Sequence, residues 1–154
     1  MDLIDRKILA LLQEDAILSI ADISKRVHLS QTPCWKRVQR LESQGVIKAR
    51  VTLIHPVALG LGLTVFVGVE THDHSADWLA HFANAISAMP EVMELYRIAG
   101  ETDYMLRVVV SDMAAYDRFY KRLIGEFPLK NVTSRFAMEQ IKATTVYPLD
   151  TSTR

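Results

Sequence analysis

The chain has 154 residues, equal numbers of acidic and basic groups, 49% apolar and 23% charged side chains, and one cysteine. That balance suits a chain that buries a core, and a single cysteine excludes an internal disulfide. The longest mostly apolar run, Leu61–Val69, is far too short for a membrane span, and Met1 leads directly into an amphipathic pattern; no membrane partner and a cytoplasmic location are expected.

Asp2 is placed to cap a first helix in which Ile4, Ile8, Leu11 and Leu12 recur at helical spacing through about Gln13. Ser19-Ile20-Ala21-Asp22 opens a short second helix, with Asp in place of the usual Glu of a capping box. His28-Leu29 breaks it, Ser30 can cap a third helix, Pro33 sits in that helix's first turn, and Gly45 suits a left-handed position after its end. At about 100° per residue, Cys34, Val38 and Leu41 share one face of the third helix. Thr32, Lys36, Gln39, Arg40 and Ser43 share the opposite face, with Trp35 and Arg37 on the flanks. Val46–Leu53 alternates enough to be a β-hairpin wing or a strand leaving the domain, with Lys48 and Arg50 on one side of it.

Between Lys25 and Arg50 stand seven Lys or Arg residues and one acid, Glu42, a local charge of +6 that the rest of the chain cancels. Counter-ion release favours such a cluster against phosphates. A basic helix face is often only a solvated face. Here the preceding helix, the turn, the caps and the sign of the charge agree on a helix-turn-helix that binds double-stranded DNA. Gln31, Thr32, Trp35, Lys36, Arg37, Gln39, Arg40 and Ser43 are the expected contacts on the third helix. Lys48 and Arg50 are expected on flanking phosphates.

One Pro and two Gly within residues 54–62 mark a linker. Beyond it, strand patterns at Leu63–Glu70, Val92–Ala99, Tyr104–Val110 and Val132–Met138 alternate with helices over Ala76–Ala88 and from Asp112 to about Gly125. Ile141–Val146 can continue the pairing. The order is β-α-β-β-α-β, a ferredoxin-like arrangement with both helices on one sheet face. Its open face usually needs a partner, so a homodimer is expected. Phe66, Trp78, Phe82, Tyr96, Phe119 and Phe136 are expected between sheet and helices. The expected fold is therefore α+β: a winged-helix-like domain over 1–53, a linker over 54–62, and a βαββαβ domain over 63–154.

Other features carry less. Cys34 lies on the inner stripe and reads as a core residue rather than a thiol sensor. His72-x-His74 with Asp73 has no distant third ligand, and no phosphate loop or nucleophile motif is present. No metal, cofactor or enzymatic activity is expected.

Asp2-Leu3-Ile4-Asp5 with Ile8-Leu9, the Ser30–Leu41 helix with Thr32-Pro33-Cys34 and Arg37, and Leu41-Glu42 with Gly45-Val46-Ile47 resemble the Lrp/AsnC transcription regulators. Pro90-Glu91-Val92, Gly100 with Asp103-Tyr104, and the order of elements resemble that family's effector-binding domain. The Thr32–Arg37 segment looks closer to a subgroup linked to cysteine or branched-chain amino-acid metabolism than to the broad leucine-responsive type. The resemblance implies an amino-acid effector, dimers that assemble to octamers, and a ligand between dimers. It places Gly100, Glu101, Thr102 and Asp103 in the effector loop, with Thr133 and Ser134 on the last strand beside it. Ala99 departs from the family's usual β-branched residue or threonine, and Glu101 adds a negative charge beside the loop. The function implied is a sequence-specific regulator responsive to a small molecule. An architectural protein that wraps DNA with little sequence choice is the alternative.

Overall fold

The computed structural model describes residues 1–151, and the backbone divides into two compact units. One holds residues 1–53 together with the C-terminal segment from Ile141; the other runs from Ile54 to Gln140.

In the first unit α1 spans Leu3–Glu14, α2 Ile20–Arg26 and α3 Gln31–Ser43. Helix α1 opens on a reciprocal capping box. The Asp2 carboxylate accepts the Asp5 N–H at 2.8 Å, and the Asp5 carboxylate accepts the Asp2 N–H at 3.0 Å. Ser19 caps α2 through the Asp22 N–H at 3.1 Å, but its own hydroxyl donates to the Asp22 carboxylate. The Asp22 carboxylate is turned to the Ser19 hydroxyl rather than to the Ser19 N–H, so this box stays half closed, unlike that of α1, where Asp5 reaches the Asp2 N–H. His28, at φ 56°, makes the turn into α3 in the left-handed region. Ser30 stands at the N-cap of α3 without a side-chain cap bond. Helix α3 ends in a Schellman motif: Val46 N–H donates to Leu41 O and Gly45 N–H to Glu42 O, both at 3.0 Å, with Gly45 at φ 70°. Ile8, Leu12, Ile23, Val27, Cys34, Val38 and Leu41 form the core, with Ile47 packed against it.

The segment Val46–Leu53, expected as a wing or strand, is irregular. Ile47 N–H is drawn back to Leu41 O at 3.1 Å, and no strand lies beside the chain to pair with it among the described residues. Alternation alone does not make a strand without a partner.

In the second unit Pro56–Leu59 makes one 3₁₀ turn ended by Gly60 at φ 74°. Then follow β1 Leu63–Thr71, α4 Ala76–Ser87, β2 Val92–Arg97, β3 Tyr104–Val110, α5 Met113–Glu126 and β4 Leu129–Phe136. The sheet order is β2-β3-β1-β4 with every neighbouring pair antiparallel, the ferredoxin-like arrangement. Val65, Val67 and Val69 of β1 and Leu106, Val108 and Val110 of β3 face Phe82 and Ile86 of α4 and Tyr116, Phe119 and Leu123 of α5.

Period-two alternation sends the intervening residues to the other face. Phe66 and Tyr96, expected in the sheet–helix core, are therefore exposed on the face away from the helices. Phe136 meets the Tyr116 ring edge-on at 5.2 Å but stays partly exposed at the sheet edge. Strand β2 ends at Arg97, short of Ala99, because Ile98 N–H already donates to Asp103 O at 2.9 Å and closes the hairpin. Strand β4 begins at Leu129 and ends at Phe136.

The segment Ile141–Val146, expected to go on pairing, forms no strand. It groups with the helical unit, where Gln13 Nε2 donates to Tyr147 O at 2.8 Å and Tyr147 N–H donates to Gln13 Oε1 at 2.9 Å. The structure thus divides the chain differently from an uninterrupted 63–154 domain. Among the described residues no helix is long and apolar enough to cross a membrane.

Candidate functional site

Helix α3 presents two kinds of polar side chain. Gln31, Thr32, Trp35, Lys36, Gln39 and Ser43 are all exposed. Trp35 keeps 51% of its surface accessible and, with Gln31 and Thr32, borders a shallow recess reaching Ile20 of α2. Gln39 Nε2 donates to Glu42 at 3.0 Å, and the other Glu42 oxygen accepts from Arg50 at 2.9 Å. The Ser43 hydroxyl donates to Arg40 O at 2.9 Å. Lys36, the cation at the centre of the outward face, forms no ion pair with a described residue, and neither does Lys48.

Arg37 and Arg40 behave differently. Arg37 Nη1 lies 2.6 Å from Asp2 Oδ2 and 2.8 Å from Asp5 Oδ1. Arg40 Nη2 lies 2.7 Å from both Asp5 oxygens. The Asp5 side chain is 1% exposed, and a buried carboxylate persists only when paired. The Asp2 carboxyl is held below its usual range by the Asp5 N–H and then by Arg37; Arg37 is held above its ordinary value by Asp2 and then Asp5. Helical angle puts Arg40 on the outer face, but its long side chain swings back to α1. The structure therefore gives Arg37 and Arg40 to the joint between α1 and α3. Asp5 escaped the sequence reading although a signal was there: Asp5, Ile8 and Leu12 share the apolar stripe of α1, and all three are buried. An acid on such a stripe calls for a basic partner.

Cys34 is fully buried beside Val38 and Leu41, and burial pushes its thiol pKa up, the opposite of a reactive thiolate.

In the second unit Gly100 stands at φ 137° at the tip of the β2–β3 turn, with Glu101 exposed beside it. Asp103 turns inward. Its Oδ2 accepts the Thr71 N–H at 2.8 Å, its own N–H donates to Val69 O at 3.0 Å, and His74 Nδ1 stands 3.9 Å from Oδ1. The loop is thus stitched to the end of β1. Thr102 leans over Gly68, where a Cβ would come within 3.1 Å of Thr102 Cγ2 and 3.8 Å of Arg135 Nη1. Gly68 is the second residue the sequence reading passed over. A glycine inside a valine-rich strand marks a close approach.

Thr133 pairs with Gly68 across β1 and β4 and shares the face away from the helices. Ser134 lies on the opposite face, where its hydroxyl and that of Tyr116 share a hydrogen bond. Adjacent strand residues cannot line one site from one face; Thr133 stays beside the loop's Thr102, and Ser134 is tied to α5. Among the described residues no three His, Cys, Asp or Glu side chains converge as a metal site.

Residues 1–48 match the winged helix-turn-helix DNA-binding domain, and residues 64–147 match the Lrp/AsnC ligand binding domain. The chain is 51% identical to the DNA-binding transcriptional activator DecR of Escherichia coli, over 97% of this chain and 99% of that one. It is 46% identical to the glutamate uptake regulatory protein of Zymomonas mobilis, over 97% and 91%. An AsnC family transcriptional regulator from Agrobacterium tumefaciens superposes with a TM-score of 0.93 at 55% identity, covering 97% and 98% of the two chains. A transcriptional regulator from Neisseria meningitidis, solved as its L-methionine complex, superposes at 0.90 with 34% identity, covering 97% of each. Three of these four relatives are named as regulators of transcription. With a helix-turn-helix bearing an exposed polar helix and a βαββαβ domain matched along its length, this chain belongs to the Lrp/AsnC family of DNA-binding, effector-responsive transcriptional regulators.

Proposed function

We propose that α3 enters the major groove with its N-terminal half foremost, Gln31, Thr32 and Lys36 meeting base edges. Trp35, Gln39 and Ser43 flank that contact, and Lys48 and Arg50 meet phosphates on either side. The observation that carries this reading is the outward strip of α3, where an exposed lysine that pairs with no acid among the described residues is ringed by hydrogen-bonding side chains. Arg37 and Arg40, expected among the DNA contacts of the third helix, serve instead by holding the helix. Two copies related by a two-fold axis would set half-sites about one helical turn, ~34 Å, apart. The sheet face away from the helices, with Phe66 and Tyr96 exposed on it, suits pairing with a second copy, and dimers would assemble further to octamers.

The effector is an amino acid seated at Gly100–Asp103 and Thr133. The positive φ of Gly100 gives a ligand carboxylate access to peptide N–H groups, and Asp103 has a second oxygen for an ammonium. The L-methionine complex of the Neisseria relative and the glutamate uptake regulator of Zymomonas supply the chemical class. The test has two arms. Selection of duplexes from a random library should return a two-fold consensus whose binding Lys36→Ala weakens, and a thermal-shift screen of the twenty amino acids should find at least one that raises the midpoint. Binding equally tight to selected and scrambled duplexes overturns the first arm; no shift with any amino acid overturns the second.

A further inference from the structure

The joint between α1 and α3 is built around one carboxylate. Asp5 is buried, lies at the third position of α1, and accepts from guanidinium groups on successive turns of α3, while Asp2 takes a second contact from Arg37. Two arginines at i and i+3 ride the same flank of a helix, and each guanidinium is a rigid planar fork. Fastened to a common anchor, they resist sliding of α3 along its axis and rolling about it. A roll of about 15° would carry a side-chain end about 6 Å from the axis through about 1.5 Å, enough to break a direct hydrogen bond to a base.

The same contacts have an electrostatic consequence. Arg40 remains 46% exposed, close enough to solvent to meet a phosphate, yet its charge and that of Arg37 are answered within the protein. We propose that Asp5, seconded by Asp2, is a positioning residue for sequence readout. It fixes the rotational setting of α3 and withholds two arginines from the DNA backbone, raising discrimination at the cost of general affinity. This rests on α3 being the helix that reads DNA.

A purely structural role and a positioning role make opposite predictions for Asp5→Asn. Loss of fold weakens binding to every duplex. Release of Arg37 and Arg40 strengthens binding to a scrambled duplex and steepens its salt dependence, by up to ~0.9 in log–log slope for each phosphate newly engaged. Binding to the selected duplex falls at the same time, so the specific-to-nonspecific ratio drops ~10-fold or more, as when one good base contact is lost. The experiment is fluorescence anisotropy of the full chain on selected and scrambled duplexes across a salt series, with Asp5→Asn, Asp2→Asn and Arg40→Gln. Asp2→Asn keeps a residue that caps helices well and should move both measurements the same way by less; it carries the test if Asp5→Asn does not fold. Arg40→Gln should lower the ratio without steepening the slope. Equal weakening on both duplexes with an unchanged slope overturns the proposal. A wild-type ratio near one would instead overturn the DNA-reading assignment itself, and the positioning role with it.

Discussion

Gln13→Ala isolates the contact that brings the C-terminal segment to the helical unit. The Gln13 amide makes both of its bonds to one residue, donating to Tyr147 O at 2.8 Å and accepting Tyr147 N–H at 2.9 Å. Both lie in an exposed setting, so each is worth the lower part of the usual net range, and together they contribute about 1–2 kcal/mol. Removing them should raise the open population of the segment about 5- to 30-fold. The assay is native-state hydrogen exchange, because the Tyr147 amide has the Gln13 oxygen as its acceptor and reports opening directly. Gln13→Ala should accelerate exchange at Tyr147 by that factor while leaving core amides such as those of Ile8 and Leu41 unchanged. Gln13→Glu keeps the acceptor and loses the donor, so Tyr147 should exchange at an intermediate rate. If the Tyr147 amide exchanges at the same rate in wild type and Gln13→Ala, the grouping of this segment with the helical unit does not hold in solution.

Lys36→Ala should weaken binding to the selected duplex by about 1–3 kcal/mol in an anisotropy titration; Lys48→Ala should weaken all duplexes alike and flatten the salt slope by ~0.9 for each protomer bound. Gly68→Val places a branched side chain where Thr102 now sits, with Cγ2 and Oγ1 only 3.1 and 3.4 Å from the new Cβ. It should abolish the amino-acid-induced thermal shift while the circular dichroism of the sheet persists; an undiminished shift would separate Thr102 from the effector site. The Asp2 carboxyl has a depressed pKa from the Asp5 N–H and Arg37. Its contribution to stability is complete above the unfolded value of about 4 and is lost as pH falls through the lower folded value. Urea midpoints read from Trp35 in a Trp78→Phe background should therefore decline less steeply below pH 4 in Asp2→Asn than in Asp2 protein, and identical acid limbs would count against the Asp2–Arg37 pair.

Much of the fold was legible because it depends on local chemistry. The inner stripe Cys34-Val38-Leu41, the cap at Asp2, and the left-handed Gly45 each follow from spacing or from a backbone constraint that one residue type satisfies best. The βαββαβ order follows in the same way from alternating periods along the chain. The candidate site was legible only in outline. Lys36 and Thr32 stay on the outward strip, but Arg40 is long enough to leave it, and where a flexible cation ends depends on a carboxylate 35 residues away. Thr133 and Ser134 look equivalent in sequence, yet the pleat sends one to each face of the sheet.

By itself, the sequence determined the five helices and the four strands of the sheet in their order, though not that Val46–Leu53 and Ile141–Val146 stay irregular. It also determined the +6 cluster across residues 25–50 and the family resemblance, all properties of residues close together in the chain. Tertiary structure alone decided that Asp5 claims Arg37 and Arg40, that Thr102 occupies the space left by Gly68, and that Tyr147 returns to Gln13. Those contacts join residues far apart in sequence. Their existence depends on which surfaces packing brings within hydrogen-bond reach, and no spacing rule along one strand or helix encodes that.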